Sequence, residues 1–216
     1  MPELADELNA FMDGVLQRAD PVTAELFAAT QGRLATDEPS AVNVGDLAPD
    51  FTLPDQDGQL VSLSARLDRG PVVLLFVRGG WCPFCALTLR AYDRLRTALS
   101  LAGASLIAIS PQTQDASLAT AERNGLHFPL LSDAGLSTAE SYGLVWQPDA
   151  RMQAILMKLG HNLPQINGTG DWRLPIPAGY VIGRDRVVRA ARHTPNIADR
   201  LPPTLALQTV RELNGA

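Results

Sequence analysis

Pro71-Val-Val-Leu-Leu-Phe-Val-Arg-Gly-Gly-Trp-Cys-Pro-Phe-Cys85 is the stretch that decides the fold. Its first half, Val72 to Val77, is an unbroken apolar run of the length of one strand. A strand that is apolar on both faces belongs in the middle of a sheet covered on both sides. The pattern changes at Arg78-Gly-Gly, and two cysteines follow at Cys-x-x-Cys spacing. Beyond them Phe84, Leu87, Ala91 and Leu95 fall on one helical face. Ala104 to Ile109 is a second apolar strand. The order is strand, helix, strand, with the cysteines at the turn into the helix. That order predicts an α/β fold.

Cysteines placed there are suited to thiol chemistry. The attacking form is the thiolate, so a reactive cysteine needs a lowered pKa. A helix N-terminus offers unpaired N–H groups and the positive end of a dipole. Cys82 stands at the expected helix start, and Cys85 lies one turn later, within reach of it. Pro83 has no N–H and a preset φ, which stiffens the turn. A mixed disulfide or sulfenic acid on one sulfur could be resolved by the other. Three quieter readings stand beside this one. Zinc needs about four ligands, and the nearest histidine in sequence is His127. A structural disulfide would close a very short loop for only about 2 kcal/mol. The last is two thiols that are simply buried, as free cysteines often are.

Outward from this unit, Phe51-Thr-Leu and Leu60-Val-Ser-Leu63 read as strand, turn and strand around Asp55-Gln-Asp-Gly58. Asp115 to Asn124 reads as a helix closed by Gly125. Phe128 to Leu131 is a short strand, and Ser137 to Tyr142 a short helix ending at Gly143. Met152 to Leu159 is helical and leads into a Gly/Asn-rich loop. Tyr180-Val-Ile182 and Val187-Val188 form a hairpin, and Leu205 to Leu213 a closing helix. At the other end, Leu4, Leu8, Phe11, Met12, Val15 and Leu16 recur at helical spacing. Asp20-Pro21 reads as the start of a second helix running to about Leu34, with a polar linker from 35 to 49. Residues 1–40 are therefore expected to be a helical extension, and 41–216 the main domain. The extension should pack on that domain or on a second copy in a homodimer, with no part in catalysis.

The composition sets bounds. A chain of 216 residues, 46% hydrophobic and 19% charged, can bury a full core without disulfide staples. A net charge of −5 offers no basic surface for nucleic acid or anionic lipid. No apolar run is long enough to cross a membrane. The acidic start Met-Pro-Glu-Leu-Ala-Asp-Glu lacks an apolar signal core, so a cytoplasmic location is expected. That compartment is reducing, which disfavours a permanent disulfide. No phosphate loop or metal-ligand cluster stands out, and no cofactor is expected.

Several segments together resemble the peroxiredoxin and thiol-specific antioxidant family. They are Gly45-Asp-Leu-Ala-Pro-Asp-Phe-Thr-Leu53, Asp57-Gly58, Val61-Ser-Leu63, Pro129-Leu-Leu-Ser-Asp133 and Tyr142-Gly143. Arg78-Gly-Gly-Trp-Cys-Pro-Phe-Cys85 is similar to a branch that keeps a thioredoxin-type Cys-x-x-Cys. The resemblance covers about residues 45 to 190. It implies a thioredoxin-like mixed sheet flanked by helices. The chain departs from the family's Pro-x-x-x-Thr-x-x-Cys pattern. With Phe76 aligned to the family's strand-end phenylalanine, Arg78 takes the proline position, Cys82 the threonine and Cys85 the peroxide-attacking cysteine. The family's active-site arginine is replaced near Tyr180 by Pro177, where thioredoxins carry a cis-proline. Much of the peroxide-polarising set is thus missing.

The resemblance implies a thiol-dependent redox enzyme that reduces peroxides through a Cys82/Cys85 dithiol–disulfide cycle and is restored by a thioredoxin-like dithiol. Reduction of protein disulfides by the same pair is the alternative, and a redox-inactive thioredoxin-fold binding module is a third. Trp81, Pro83, Arg78 and a cis Pro177 are the expected supporting residues, with Arg173 a further candidate for favouring a thiolate. The two registers disagree on which sulfur attacks. The helix dipole and the usual exposure of the first cysteine argue for Cys82 as the one of lower pKa. Cys85 stays open for a small peroxide.

Overall fold

The computed structural model describes residues 3–21, 24–25, 41–194 and 196–215. The apolar run forms strand β3 (Val72–Phe76), buried at every position. The chain reaches it through α1 (Leu4–Arg18), the antiparallel pair β1 (Thr52–Pro54) and β2 (Leu60–Ser62), and the short helix α2 (Leu63–Leu67). After β3 come α3 (Pro83–Leu101), β4 (Ser105–Ser110), α4 (Gln114–Asn124), β5 (Leu130–Ser132) and α5 (Ser137–Ser141). Strand β6 (Val145–Trp146), helices α6 (Ala150–Lys158) and α7 (Leu163–Asn167) and strand β7 (Leu174–Pro175) form a side excursion. The chain ends with β8 (Ala178–Ile182), β9 (Val188–His193) and α8 (Pro203–Leu213).

The central sheet has the order β5-β4-β3-β8-β9. β4 runs parallel to β3 and β5 parallel to β4, whereas β8 and β9 are antiparallel to their neighbours. This is the mixed, helix-flanked sheet expected. Alternation along β3 divides its side chains between two cores. Val73 and Leu75 face α1, α3 and α8, together with Cys82, Cys85 and Leu201. Val72, Leu74 and Phe76 face the β1–β2 side, where Phe76, Tyr142 and Tyr180 are in mutual ring contact. The dithiol therefore belongs to the α3–α8 face. No described helix is long and apolar enough to cross a membrane.

The first helix of the expected extension is part of this core. Leu4 and Leu8 are buried in the cluster that holds the cysteines, and Phe11 meets Phe84 edge-to-face at 5.1 Å. Arg94 of α3 bonds Glu7 at 2.7 Å. The second helix expected to run to Leu34 falls mostly outside the described residues. Elsewhere the boundaries shift. Leu63 opens α2 rather than closing a strand, because Ser62 caps that helix by accepting the Ala65 N–H. The loop expected before residue 174 contains α7, and the strands that flank the whole α6–α7 excursion pair as β6 and β7. Such two-residue pairings carry too little periodicity to be seen in sequence.

Candidate active site

Cys82 is the N-cap of α3 and Pro83 follows it in the first turn, as their order in sequence implied. The loop that brings Cys82 there, Arg78 to Trp81, is held against α4. Gly80 donates its N–H to Gln112 Oε1 at 2.9 Å, and the Thr120 hydroxyl lies 3.2 Å from the same oxygen. Gln112 and Thr120 are both buried. Gly79 adopts φ +129°, a conformation that favours glycine. Gly80 is required for a different reason, since a Cβ there would lie 2.2 Å from Thr120 Oγ1.

Both sulfurs are free thiols and both are buried, Cys82 2% exposed and Cys85 0%. Their environments differ. The Cys85 sulfur accepts the Arg78 backbone N–H at 3.4 Å. It also accepts the Cys82 thiol hydrogen, and this bond is the main reason its pKa falls to about 6. The charges of Arg200 and Arg78 add to that effect and oppose the cost of burial. Cys82 moves the other way, well above the ordinary thiol range. The cause is first its hydrogen bond to Cys85, then burial and the Cys85 charge. The pKa of Cys85 is therefore lowered and that of Cys82 raised, the opposite order from the one expected. The dipole at the start of α3 acts on both residues, so it does not choose between them. The choice comes from the direction of the hydrogen bond between the two thiols, the N–H of Arg78 and the charge of Arg200, and the expected exposure of Cys82 is absent.

The supporting residues named from sequence divide. Trp81 packs against the cysteine cluster, donates its indole N–H to the Arg78 carbonyl at 3.1 Å and contacts the His161 ring at 5.1 Å. Arg78 lies at the site, its guanidinium 5.2 Å above the Trp146 ring. Pro177 is not a cis-proline, because no cis peptide occurs among the described residues. Pro175 just before it pairs with Val145 in an extended strand, and the chain runs on extended into β8. Arg173 also leaves the list. It is tied to Asp171 and Glu140 and has no part in the cysteine environment.

Residues 44–191 match the model of the AhpC/TSA family. The chain belongs to the AhpC/TSA family. Among its relatives, the wheat (Triticum aestivum) chloroplastic peroxiredoxin Q is 37% identical over 103 residues, covering 48% of this chain and 47% of its own length. The chain thus spans about half the length of the plant relatives it matches. The crystal structure of peroxidoxin BcpB from Mycobacterium tuberculosis superposes with a TM-score of 0.63 at 26% identity, covering 80% of this chain and 98% of that one. A peroxiredoxin-like protein from Aquifex aeolicus, at 18% identity and a TM-score of 0.62, shares the fold over 80% of this chain and 88% of its own.

Three contributors to the AhpC/TSA site were missed in sequence. Gln112 and Thr120 carry no motif, because their partner Gly80 is distant along the chain and near only once β3, β4 and α4 are assembled. Arg200 lies beyond the family-matched segment, in the turn between β9 and α8. It is 8% exposed. Nothing in Ala198-Asp-Arg-Leu201 separates it from a surface arginine.

Proposed function

We propose that this member of the AhpC/TSA family reduces peroxides, with Cys85 as the attacking thiolate and Cys82 as the resolving thiol. The observation that carries the reading is the depth of the low-pKa sulfur, with Cys85 0% exposed beneath a first cysteine 2% exposed. A protein disulfide must bring two bulky chains into line with the attacking sulfur, whereas a peroxide brings two oxygen atoms. The naming of relatives as peroxiredoxins supports the same chemistry. In the first step the Cys85 sulfur forms a bond to one peroxide oxygen and the O–O bond breaks. Sulfur gives up two electrons and becomes a sulfenic acid, and the departing oxygen takes a proton as water or an alcohol. The Cys82 sulfur then attacks the sulfenic sulfur, an S–S bond forms and water leaves. A thioredoxin-like dithiol reduces the Cys82–Cys85 disulfide with two electrons and two protons.

Stopped-flow tryptophan fluorescence tests this, with Trp81 as the reporter packed on the cysteine cluster. Reduced protein mixed with hydrogen peroxide or an alkyl hydroperoxide should show a fast second-order phase. Cys85→Ser should abolish it. Cys82→Ser should keep the first step and accumulate a sulfenic acid that a dimedone probe labels. Rapid insulin reduction with negligible peroxide consumption would overturn the reading in favour of a disulfide reductase.

A further inference from the structure

The guanidinium of Arg200 is buried among apolar groups. Ile197, Ala198 and Leu201 around it belong to the cluster that holds Cys82 and Cys85. Its segment is fastened to α3 by Tyr92, whose hydroxyl donates to the Leu201 carbonyl at 2.8 Å. Arg200 Nη1 donates to the carbonyls of Asp199 at 2.7 Å and Asn196 at 3.3 Å, and both acceptors are neutral. Nη2 is buried with no hydrogen-bond partner. The adjacent carboxylate is engaged elsewhere, since Asp199 accepts two bonds from Arg192, at 2.8 and 2.6 Å. Burial of a cation without a carboxylate costs several kcal/mol unless another anion stands nearby. The charged and titratable groups acting on Arg200 are Cys85 and Cys82, then Arg78 and Asp199. Cys85 in turn faces Cys82, Arg200 and Arg78. The only groups in that set free to supply the missing negative charge are the cysteines.

We infer that Arg200 is the buried counter-cation of the Cys85 thiolate, so that the turn between β9 and α8, outside the family-matched residues 44–191, is part of the reactive site. Arg200 acts through Cys85 as a positioning residue, holding the sulfur in its anionic form before any oxidant arrives. The inference rests on the assignment of Cys85 as the attacking sulfur, but its primary test needs no peroxide.

The test is the pH dependence of Cys85 alkylation by iodoacetamide in the Cys82→Ser background, with Arg, Gln or Lys at position 200. Arg200→Gln should raise the midpoint by about one pH unit or more, with a matching loss of about fivefold or more in rate at pH 6. Arg200→Lys should restore part of that shift, because it returns a charge to the same place. Equal midpoints for Arg and Gln in folded proteins would overturn the inference. Should Arg200→Gln fold poorly, urea denaturation of the uncharged Arg200→Met, Cys85→Ser and the double variant decides. Coupling between the two sites that is present at pH 8 and lost at pH 5 supports the ion pair, and additivity at both pH values refutes it. If the wild-type protein consumes no peroxide while the midpoint shift is found, the proposed function fails and the counter-cation stands. The reverse pattern sinks the counter-cation alone.

Discussion

Replacing Gly80 by alanine tests whether the dithiol loop is held in place by its contact with α4. An ideal Cβ on Gly80 would sit 2.2 Å from Thr120 Oγ1, 2.7 Å from its Cγ2 and 2.9 Å from its Cβ. Nonbonded atoms prefer roughly 3.5 Å, so the loop and α4 must separate by about 1 Å. Thr120 cannot readily turn aside, because its hydroxyl donates to the Ala116 carbonyl at 2.8 Å. Overpacking of this kind costs about 1–3 kcal/mol. Stretching the Gly80 N–H bond to Gln112 adds about 1 kcal/mol, for a total of about 2–4 kcal/mol. A displacement of about 1 Å at the reacting group can slow a reaction about 100-fold. Urea denaturation and stopped-flow peroxide kinetics measure the two effects on one preparation. Thr120→Ala supplies the control, since it removes the two closest atoms and leaves only the 2.9 Å contact. The double variant should recover at least about 1 kcal/mol relative to the sum of the single changes. Gly80→Ala stability within about 0.5 kcal/mol of wild type, or strict additivity with Thr120→Ala, would show that the loop is not clamped in this way.

Other outcomes follow from the same geometry. The rate of peroxide attack should rise with pH around a midpoint near 6, the value held by Cys85, and a midpoint near the free-thiol value of about 8.5 would return the attack to an unperturbed cysteine. In stability the sign is fixed by the same shift. Because the Cys85 pKa is depressed on folding, its contribution is fully present above the unfolded value and is lost as pH falls through about 6. Cys82, raised on folding, contributes below the unfolded value and loses that contribution at high pH, so the difference in urea midpoint between wild type and Cys85→Ser should shrink below pH 6. Gln112→Leu removes the acceptor of the Gly80 N–H and should cost about 1–3 kcal/mol and slow peroxide reduction, whereas an unchanged rate would make Gln112 a packing residue only. Leu8→Ala, at a position 0% exposed, should cost about 2–5 kcal/mol by urea denaturation while leaving the alkylation midpoint of Cys85 in place. A moved midpoint would give α1 a role in the site that the packing alone does not provide.

The sheet's centre, the place of the cysteines and the family's outline were all legible in the order of amino acids along the chain. Each of these is written in short-range pattern. An unbroken apolar run such as Val72 to Val77 must be covered on both faces, and a Cys-Pro pair after two glycines marks a strand-to-helix turn. Gly125 closing α4 in the left-handed conformation is legible for the same reason. The order of the two pKa values was not legible, and the local argument from the helix dipole favoured Cys82 where the folded surroundings lower Cys85. Cys82 and Cys85 share one helix start, so the local field separates them little. What separates them is the Arg78 N–H, the direction of the hydrogen bond between the two thiols, and the Arg200 charge brought from beyond β9. The clamp by Gln112 and Thr120 is of the same kind, and so is the diversion of Arg173 to Asp171 and Glu140. Electrostatic and steric terms depend on separation in space, and only the folded sheet sets those separations for residues distant along the chain.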